Sequence, residues 1–213
     1  MNAPALDIHA PEISTYGRIV AMVAEECGVT WRIVPTATGS PELRTMQPFG
    51  RSPAVRIDGE VLYESAAIAV YLDERGDHAP RLQPVDPLAR ARMWQWIGVA
   101  NMYLFPLSEH ALVLPRLVHP LIRRAPDEAV IARALPQIAM HLDIVCERLE
   151  ASRWLAGDAF SLADVFAWCV LRAVQRTPEG AELCRRRLPL ARWLAVVGRR
   201  PSAIATAWPG EGS

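Results

Sequence analysis

Residues 47 to 76 have the sequence QPFGRSPAVRIDGEVLYESAAIAVYLDERG, and the fold prediction depends on the turn and helix signals in this stretch. The segments PAVRI and VLY flank Asp58 and Gly59, a pair that favours a type I′ turn because both central residues of that turn need positive φ. The run SAAIAVYLDER then predicts a helix that ends at Gly76, a residue type suited to the position after a helix C-terminus. The stretch therefore predicts a β-hairpin followed directly by a helix.

The residues before this stretch alternate strand and helix signals. ALDIH is a short run typical of a strand, and TWRIV is a β-rich run that Pro35 ends. Between them, TYGRIVAMVAEEC carries apolar residues at helical spacing and stops at Gly28. A β-α-β unit followed by a hairpin and a helix is a thioredoxin-like arrangement, so we expect an α/β domain over residues 1–76.

The character of the sequence changes after residue 76. Residues 77–86 are rich in proline and have no periodicity, which predicts a linker. Beyond the linker the strong signals are helical, so an all-α domain is expected over residues 87–213. Asp86 and Pro87 open its first helix, which we expect to end at Pro106, with further breaks at Pro115 and Pro120.

Two later helices have clear signatures. Six apolar residues step by three and four along one face of a long helix that contains Pro136: Ile131, Leu135, Ile138, Leu142, Val145 and Leu149. Ser161 and Asp164 form a capping box at the start of the next helix, and Phe160 is placed to pack against Val165. After a last helix the tail from Trp208 is expected to be frayed.

Composition excludes several function classes. All 23 basic residues are arginines, and 23 acidic residues balance them, so the chain has no electrostatic signature for nucleic acid or an anionic membrane. No basic and apolar leader precedes the first strand, and no window approaches 18 uninterrupted apolar residues, so we expect a cytoplasmic protein without a membrane segment.

The cysteines and histidines favour structural roles. Cys27, Cys146, Cys169 and Cys184 lie far apart in apolar helical patterns, which predicts reduced core thiols. His110 and His119 lack the spacing of metal ligands, so no metal site is expected.

The hairpin and the following helix place polar groups at two special positions. Glu64 and Ser65 lie at a helix N-terminus, where unpaired N–H groups and the helix dipole favour an anion. Ser65 can donate to a carboxylate and Glu64 can accept from an ammonium group, although a helix cap alone would use the same residues. Pro53 opens the third strand; a cis bond there would let the backbone of Ser52 pair with an extended peptide, and an ordinary trans bond is equally compatible with the sequence.

These motifs together resemble a family. PFGRSPAV, the Asp-Gly hairpin, ESAAIAVYL, the proline-rich linker and a helical domain with SLADV near its end resemble a cytosolic glutathione transferase over about residues 5 to 200. On that resemblance, Glu64 and Ser65 hold the γ-glutamyl group of glutathione, and the backbone of Ser52 beside Pro53 pairs with its cysteinyl unit.

The resemblance leaves the other end of the tripeptide less well assigned. Relatives of the phi type carry a basic residue before the third strand to bind the glycyl carboxylate. This chain offers Arg44, placed later than expected, and Arg51. Gln47 and Ser52 also differ from the residues usual at their positions, which leaves the subclass open.

The family places a hydroxyl or thiol near the start of the first helix, facing the glutathione sulfur. The pattern S-T-x-x-R-x-V resembles the serine-type phi and theta transferases and their bacterial relatives, which implies Ser14, with Thr15 and Tyr16 as the alternatives. A thiol of pKa about 8.5 is about 3% ionised at pH 7. A hydroxyl donor and a helix N-terminus could lower that pKa, and Ser14 need not lose its own proton. A helix N-cap alone would use the same residue, and the two roles are compatible.

The resemblance also implies a second substrate and a partner. A hydrophobic electrophile is expected to bind between the domains, with Met102 and Tyr103 as candidate contacts in the helix WQWIGVANMYLF. Phe49, four residues before Pro53, has the offset of an aromatic residue that some relatives insert into a partner subunit, so a homodimer is expected.

The leading hypothesis is therefore an enzyme that activates the glutathione thiol and conjugates it to an electrophile. The alternatives are a glutathione-binding or regulatory module without turnover, and a glutathione-dependent peroxidase or lyase that uses the same thiolate.

Overall fold

The structure is a computed structural model that describes residues 6–75 and 81–211. The chain divides into two compact units, Met1–Gln83 with Gly198–Ser213, and Pro84–Val197. Gly76 and part of the predicted linker lie outside the described residues. The domain limits drawn from the sequence, at 1–76, 77–86 and 87–213, therefore stay predictions.

The first unit is built on a four-stranded sheet with the strand order β2-β1-β3-β4. The strands are β1 (Leu6–Ala10), β2 (Trp31–Pro35), β3 (Ala54–Ile57) and β4 (Glu60–Tyr63). β1 pairs with β2 in parallel and with β3 antiparallel, and β3 pairs antiparallel with β4. This mixed sheet is the thioredoxin-like arrangement expected from the sequence.

The hairpin between β3 and β4 forms at the predicted pair. Asp58 has a φ of 52° and Gly59 a φ of 84°, the two positive values that a type I′ turn requires. Ile57 and Glu60 are paired across the turn, which fixes the register of the whole hairpin.

Three helices follow the strands of this unit: α1 (Thr15–Glu26), α2 (Pro41–Met46) and α3 (Ser65–Arg75). α2 was not predicted, because its six residues are too few to show a periodic pattern. Its signals were present nevertheless, since the Ser40 side chain accepts a hydrogen bond from the backbone N–H of Leu43 at 3.2 Å, and Pro41 occupies the first helical position.

The second unit is helical, as predicted. Its helical elements are α4 (Pro87–Val99), a π-helical segment (Ala100–Leu104), α5 (Phe105–Ser108), a second π-helical segment (Glu109–Val118), a 3₁₀ turn (His119–Ile122), α6 (Glu128–Ala151), α7 (Leu162–Gln175), α8 (Pro178–Arg185) and α9 (Leu188–Gly198). The last helix of the chain, α10 (Pro201–Ala205), belongs to the first unit.

The prediction that Pro106 ends the first helix of this unit was wrong. Helical backbone continues from α4 through Pro106 and Pro115 to Ile122. A proline removes one backbone donor, and the change from i→i+4 to i→i+5 pairing in the flanking π-helical segments lets the helix pass such a position without ending. The predicted break at Pro120 corresponds to the 3₁₀ turn.

The tail was also predicted incorrectly. Trp208, expected to lie in a frayed segment, is 4% exposed, and its backbone N–H donates to the Glu211 carboxylate at 3.1 Å. The sequence signal was the tryptophan itself, since so large an apolar side chain favours burial.

Two helical runs in the described part of the chain, Pro87–Ile122 and Glu128–Ala151, are long and apolar enough to cross a membrane by length and composition alone. The core helices of helical domains meet the same criteria, and Pro106, Pro115 and Pro120 lie inside the first run. This finding is weak as an indication of a membrane segment.

Asp164 connects several segments of the helical unit through hydrogen bonds. Its fully buried carboxylate accepts from the backbone N–H of Leu155 at 3.0 Å, the backbone N–H and hydroxyl of Ser161, both at 3.1 Å, and the Trp193 indole at 3.1 Å. Burial raises the pKa of Asp164 to about 6, against the effect of these hydrogen bonds. The predicted capping box is thus also the junction between α7, α9 and the loop before α7.

Asp164→Ala should destabilise the helical unit, because it leaves several buried hydrogen-bond donors without an acceptor. We expect a loss on the order of 3 kcal/mol in the free energy of unfolding, measured by urea denaturation at pH 7. Asp158→Ala, an exposed carboxylate in the same loop, is the matched control and should change stability by less than about 0.5 kcal/mol. Equal losses in the two variants would contradict this role for Asp164.

Candidate functional site

The sheet brings three loop segments to one edge. His9 is paired with Ala54, and Ala54 is paired with Tyr63, so β1 ends, β3 begins and β4 ends side by side. The residues just beyond these strand ends are the loop to Ser14, the Ser52–Pro53 peptide and Glu64. The three segments singled out from the sequence therefore meet at the same edge of the sheet.

Ser14 caps α1 in a way that leaves its proton available. Its hydroxyl oxygen accepts a hydrogen bond from the backbone N–H of Gly17 at 3.0 Å, and the side chain is half-buried. A hydroxyl has acceptor lone pairs and one O–H donor, so capping uses only the acceptor function. Both roles considered for Ser14, helix cap and donor to a ligand, are compatible.

The two alternatives to Ser14 lie deeper in the first turn. Thr15 is 6% exposed and forms part of the buried face of α1. Tyr16 is half-buried. Ser14 is the hydroxyl that stands at the end of the helix, where the N–H groups of the first turn converge.

Gly17 is a residue of this site that the sequence analysis missed. A Cβ atom at Gly17 would lie 3.0 Å from the Cβ of Ala10 and 3.1 Å from the Cβ of Ser14. The absence of a side chain thus lets α1 approach the end of β1 and fixes where Ser14 stands. A glycine inside an otherwise regular helical pattern was the available signal.

The Ser52–Pro53 peptide bond is cis, which resolves the choice left open by the sequence. Pro53 is buried and Ser52 is half-buried. The Ser52 hydroxyl lies 3.0 Å from the Thr38 hydroxyl, so the loop after β2 packs against this peptide.

Glu64 has an unusual backbone conformation. Its φ is 66°, in the left-handed region that L-residues with a side chain rarely adopt, and its carbonyl accepts from the N–H of Ile68 at 3.0 Å as α3 begins. Such strain costs on the order of 1 to 3 kcal/mol and concentrates at functional sites. The Glu64 side chain is exposed, whereas Ser65 is 8% exposed at the first position of α3.

The two candidate arginines differ in what holds them. Arg44 donates to the Gly39 carbonyl at 3.2 Å and lies against Gly50, where a Cβ would come within 3.0 Å of its guanidinium carbon. Arg51 is exposed, and its backbone N–H donates to the side-chain oxygen of buried Gln47 at 3.0 Å. Because Arg51 directly precedes Ser52, it lies next to this edge of the sheet.

The remaining predicted contacts are exposed apolar side chains. In the helical unit Met102 is 71% and Tyr103 60% exposed on the first π-helical segment, and Tyr103 lies edge-on to the His141 ring. In the sheet unit Phe49 is 72% exposed on the loop before β3. Large apolar side chains with this exposure are available for contact with a ligand or another chain.

The cysteine thiols are buried and do not form part of the candidate site. All four cysteines are buried, and burial raises the pKa of Cys27 to about 12 and that of Cys184 to about 11, which disfavours their thiolates. Within residues 6–75 and 81–211, no group of three or more histidine, cysteine, aspartate or glutamate side chains could hold a metal ion.

Comparison with known families and proteins gives a consistent result. Residues 13–75 match the family model for the glutathione S-transferase N-terminal domain, and residues 106–201 match the model for the C-terminal domain. Glutathione S-transferase 3 of Zea mays is 32% identical over 189 residues, covering 86% of this chain and 84% of the relative. Glutathione S-transferase F10 of Arabidopsis thaliana is 34% identical over 168 residues, covering 75% and 76%.

Solved structures agree with the sequence relatives. The chain is similar to glutathione S-transferase III in its apo form, with a TM-score of 0.85, 32% identity and coverage of 97% of this chain and 98% of that one. It is also similar to glutathione S-transferase I from maize in complex with an atrazine glutathione conjugate, with a TM-score of 0.84, 25% identity and 96% coverage of both chains.

Gly17→Ala should destabilise the protein, because the new methyl group has no room between Ala10 and Ser14. We expect a loss of about 1 to 3 kcal/mol in the free energy of unfolding, measured by denaturant titration. Gly98→Ala is the matched control: it lies inside α4, a Cβ there would contact nothing within 4 Å, and it should raise stability by up to about 1 kcal/mol. Stabilisation by both substitutions would contradict the close approach at Gly17.

Proposed function

The chain belongs to the cytosolic glutathione transferase family, and on that premise we propose that Ser14 is its catalytic hydroxyl and that Glu64, Ser65, Ser52 and Arg51 bind glutathione. The observation that carries the proposal is that the strand pairing brings these segments to one edge of the sheet. At that edge the Ser14 proton is available for donation, and Glu64 has a strained backbone conformation.

The protein is a glutathione transferase, an enzyme that uses glutathione as its co-substrate. The glutathione thiolate attacks an electrophilic carbon, so that a carbon–sulfur bond forms. In substitution the leaving group departs with the bonding electrons, and in conjugate addition the adduct takes up a proton. In both cases the thiol proton is released to water.

The proposed catalytic role of Ser14 is hydrogen-bond donation to the thiolate. Its oxygen already accepts from the Gly17 N–H, which polarises the hydroxyl and leaves its proton for another acceptor. The positive end of α1 adds a favourable field for the sulfur anion, and no acidic residue lies in the first turn of α1 to oppose it. Lowering a thiol pKa from about 8.5 by about two units requires about 3 kcal/mol of differential stabilisation.

Glutathione is proposed to bind across the three segments. Ser65 and the first-turn N–H groups of α3 hold the γ-glutamyl carboxylate, and Glu64 accepts from the ammonium group. The backbone of Ser52, beside Pro53, pairs with the cysteinyl unit as an added strand would. Arg51, adjacent in sequence and exposed, supplies the charge for the glycyl carboxylate.

Three further features complete the proposal. Met102 and Tyr103 contribute apolar surface to the binding of a hydrophobic electrophile, which their exposure supports. The protein acts as a homodimer, supported by the 72% exposed Phe49. Its proposed location is the cytoplasm, in keeping with the cytosolic family to which it belongs.

Ser14→Ala should lower kcat/KM with a soft aryl halide by about a hundredfold or more at pH 7, while the Kd of glutathione changes by less than about threefold. The loss should shrink as the pH rises, because the free thiol ionises unaided near its ordinary pKa of about 8.5. Steady-state kinetics from pH 6 to 9 and calorimetric titration with reduced glutathione measure both quantities.

Thr15→Val and Tyr16→Phe remove the alternative hydroxyls and serve as controls for this experiment. We expect both to keep the wild-type pH profile. A full loss of rate in either, with Ser14→Ala unaffected, would move the catalytic role to that residue. Binding of glutathione without turnover in the wild-type protein would favour a binding module, and turnover with a hydroperoxide alone would favour the peroxidase alternative.

Glu64→Gly relieves the backbone strain at this position and removes the carboxylate proposed to accept from the ammonium group of glutathione. Glycine adopts positive φ without strain, so we expect a gain of about 1 kcal/mol in the free energy of unfolding together with at least about tenfold weaker glutathione binding. Arg123→Gly is the control, because Arg123 has a similar φ of 55° in an exposed turn of the helical unit. It should gain similar stability and keep the glutathione affinity, measured by calorimetry.

A further inference from the structure

The C-terminal segment, residues 200–211, is fastened to both halves of α1. At the end of α1, Arg200 donates to the Glu26 carboxylate through Nε at 2.7 Å and a terminal nitrogen at 2.6 Å, and the Ser202 hydroxyl also donates to it. In the first half of α1, Arg18 donates to the Glu211 carboxylate at 2.6 Å and to the Ala203 carbonyl at 3.0 Å. The segment therefore runs along the helix that carries Ser14.

The contact in the first half of α1 is the more deeply buried. The side chains of Arg18 and Glu211 are 2% and 7% exposed, and the Arg18 guanidinium lies 4.3 Å from the centre of the Trp208 ring. Trp208 is itself 4% exposed, and its backbone N–H binds the same Glu211 carboxylate. An ion pair buried to this degree has a strongly preferred geometry, since any departure leaves a buried charge poorly paired.

Arg18 lies one helical turn after Ser14. The backbone N–H of Arg18 donates to the Ser14 carbonyl at 2.9 Å, so a movement of Arg18 is carried directly to the residue that caps the helix. A pocket of about 60 Å³ lies beside this turn, and its wall includes Ser14, Arg18, Trp31 and Trp208. Because that pocket leaves Ser14 incompletely packed on one side, the position of the first turn depends on its anchors.

We propose that the C-terminal segment is a clamp that positions the first turn of α1, and that Arg18, held by Glu211 and Trp208, is a positioning residue for Ser14. The inference rests on the proposed role of Ser14 in stabilising the glutathione thiolate. Arg18 need not touch glutathione. Its function is to keep the Ser14 hydroxyl where it can donate to the sulfur anion.

Glu211→Gln keeps the shape of the side chain and removes the charge that holds Arg18. We expect kcat/KM at pH 7 to fall about tenfold, the pKa of the bound thiol to rise, and the Kd of glutathione to change less than about threefold. The pH profile of kcat/KM and the thiolate absorbance of the glutathione complex are the readouts. Trp208→Leu should shift both readouts in the same direction.

Glu26→Gln is the matched control. It breaks the other glutamate–arginine pair between α1 and the same segment, which is partly exposed and lies about 18 Å from Ser14 along the helix. We expect it to lower the melting temperature without shifting the pH profile. The clamp proposal would be wrong if Glu211→Gln and Glu26→Gln lowered the melting temperature equally and left both pH profiles unchanged. The C-terminal segment would then have a purely structural role.

The double variant Ser14→Ala with Glu211→Gln separates this inference from the proposed function. If the clamp acts through Ser14, the second substitution should add less than about twofold to the loss caused by Ser14→Ala. Additive losses of kcat/KM would contradict the clamp proposal but would not contradict the catalytic role of Ser14. A wild-type rate in Ser14→Ala alone would instead refute the catalytic role of Ser14.

One further outcome distinguishes a positioning role of Arg18 from a direct effect of its charge on the thiolate. Glu211→Gln leaves the Arg18 cation without its main counter-charge near the first turn of α1. If Arg18 acted on the thiolate only through its charge, this substitution would lower the pKa of the bound thiol and raise kcat/KM below pH 7. That result would overturn the positioning role.

Discussion

β1 pairs with β3 in antiparallel register, with His9 opposite Ala54, and the candidate site depends on this pairing. It sets the end of β1 beside the start of β3, and the hairpin register then sets the end of β4 beside both. A slip of one residue would turn every side chain of a strand to the other face of the sheet. Ser14, Ser52 and Glu64 come together because backbone hydrogen bonds fix that alignment.

Steric and electrostatic constraints then fix the positions of the residues at this edge of the sheet. Gly17 lets α1 approach Ala10 closely, and its N–H occupies an acceptor lone pair of Ser14, which leaves the hydroxyl proton available for donation. Glu64 is held at a φ of 66° in the connection from β4 to α3. The candidate site thus combines two helix N-termini, which favour anions, with the side chains proposed to bind an amino-acid head group and a thiolate.

The helical unit is stabilised by a buried, hydrogen-bonded carboxylate. Asp164 joins the start of α7 to Leu155 and Trp193 through hydrogen bonds to a buried carboxylate. The capping box was evident in SLADV, but the bond to Trp193 was not, since a partner 29 residues away leaves no mark on local sequence. The same limit applies to the C-terminal segment, whose contacts with Arg18 and Glu26 join positions more than 170 residues apart.

The sequence by itself determined the order of the four strands with α1 and α3, the Asp58–Gly59 turn, the helix caps at Ser14 and Asp86, and the candidate residues Glu64, Ser65 and Ser52, but it did not predict α2. These features follow from local φ/ψ preferences, capping chemistry and apolar periodicity, which act over a few residues. The tertiary structure decided the cis form of the Ser52–Pro53 bond, the passage of helix through Pro106, and the burial of Trp208 and Glu211 against α1. The burial of Trp208 and Glu211 depends on packing and charge pairing with α1, a segment distant in the chain, and these contacts outweigh the local tendency of a chain terminus to fray. The helix passes Pro106 because the flanking segments change to π-helical pairing, a change that apolar periodicity does not show.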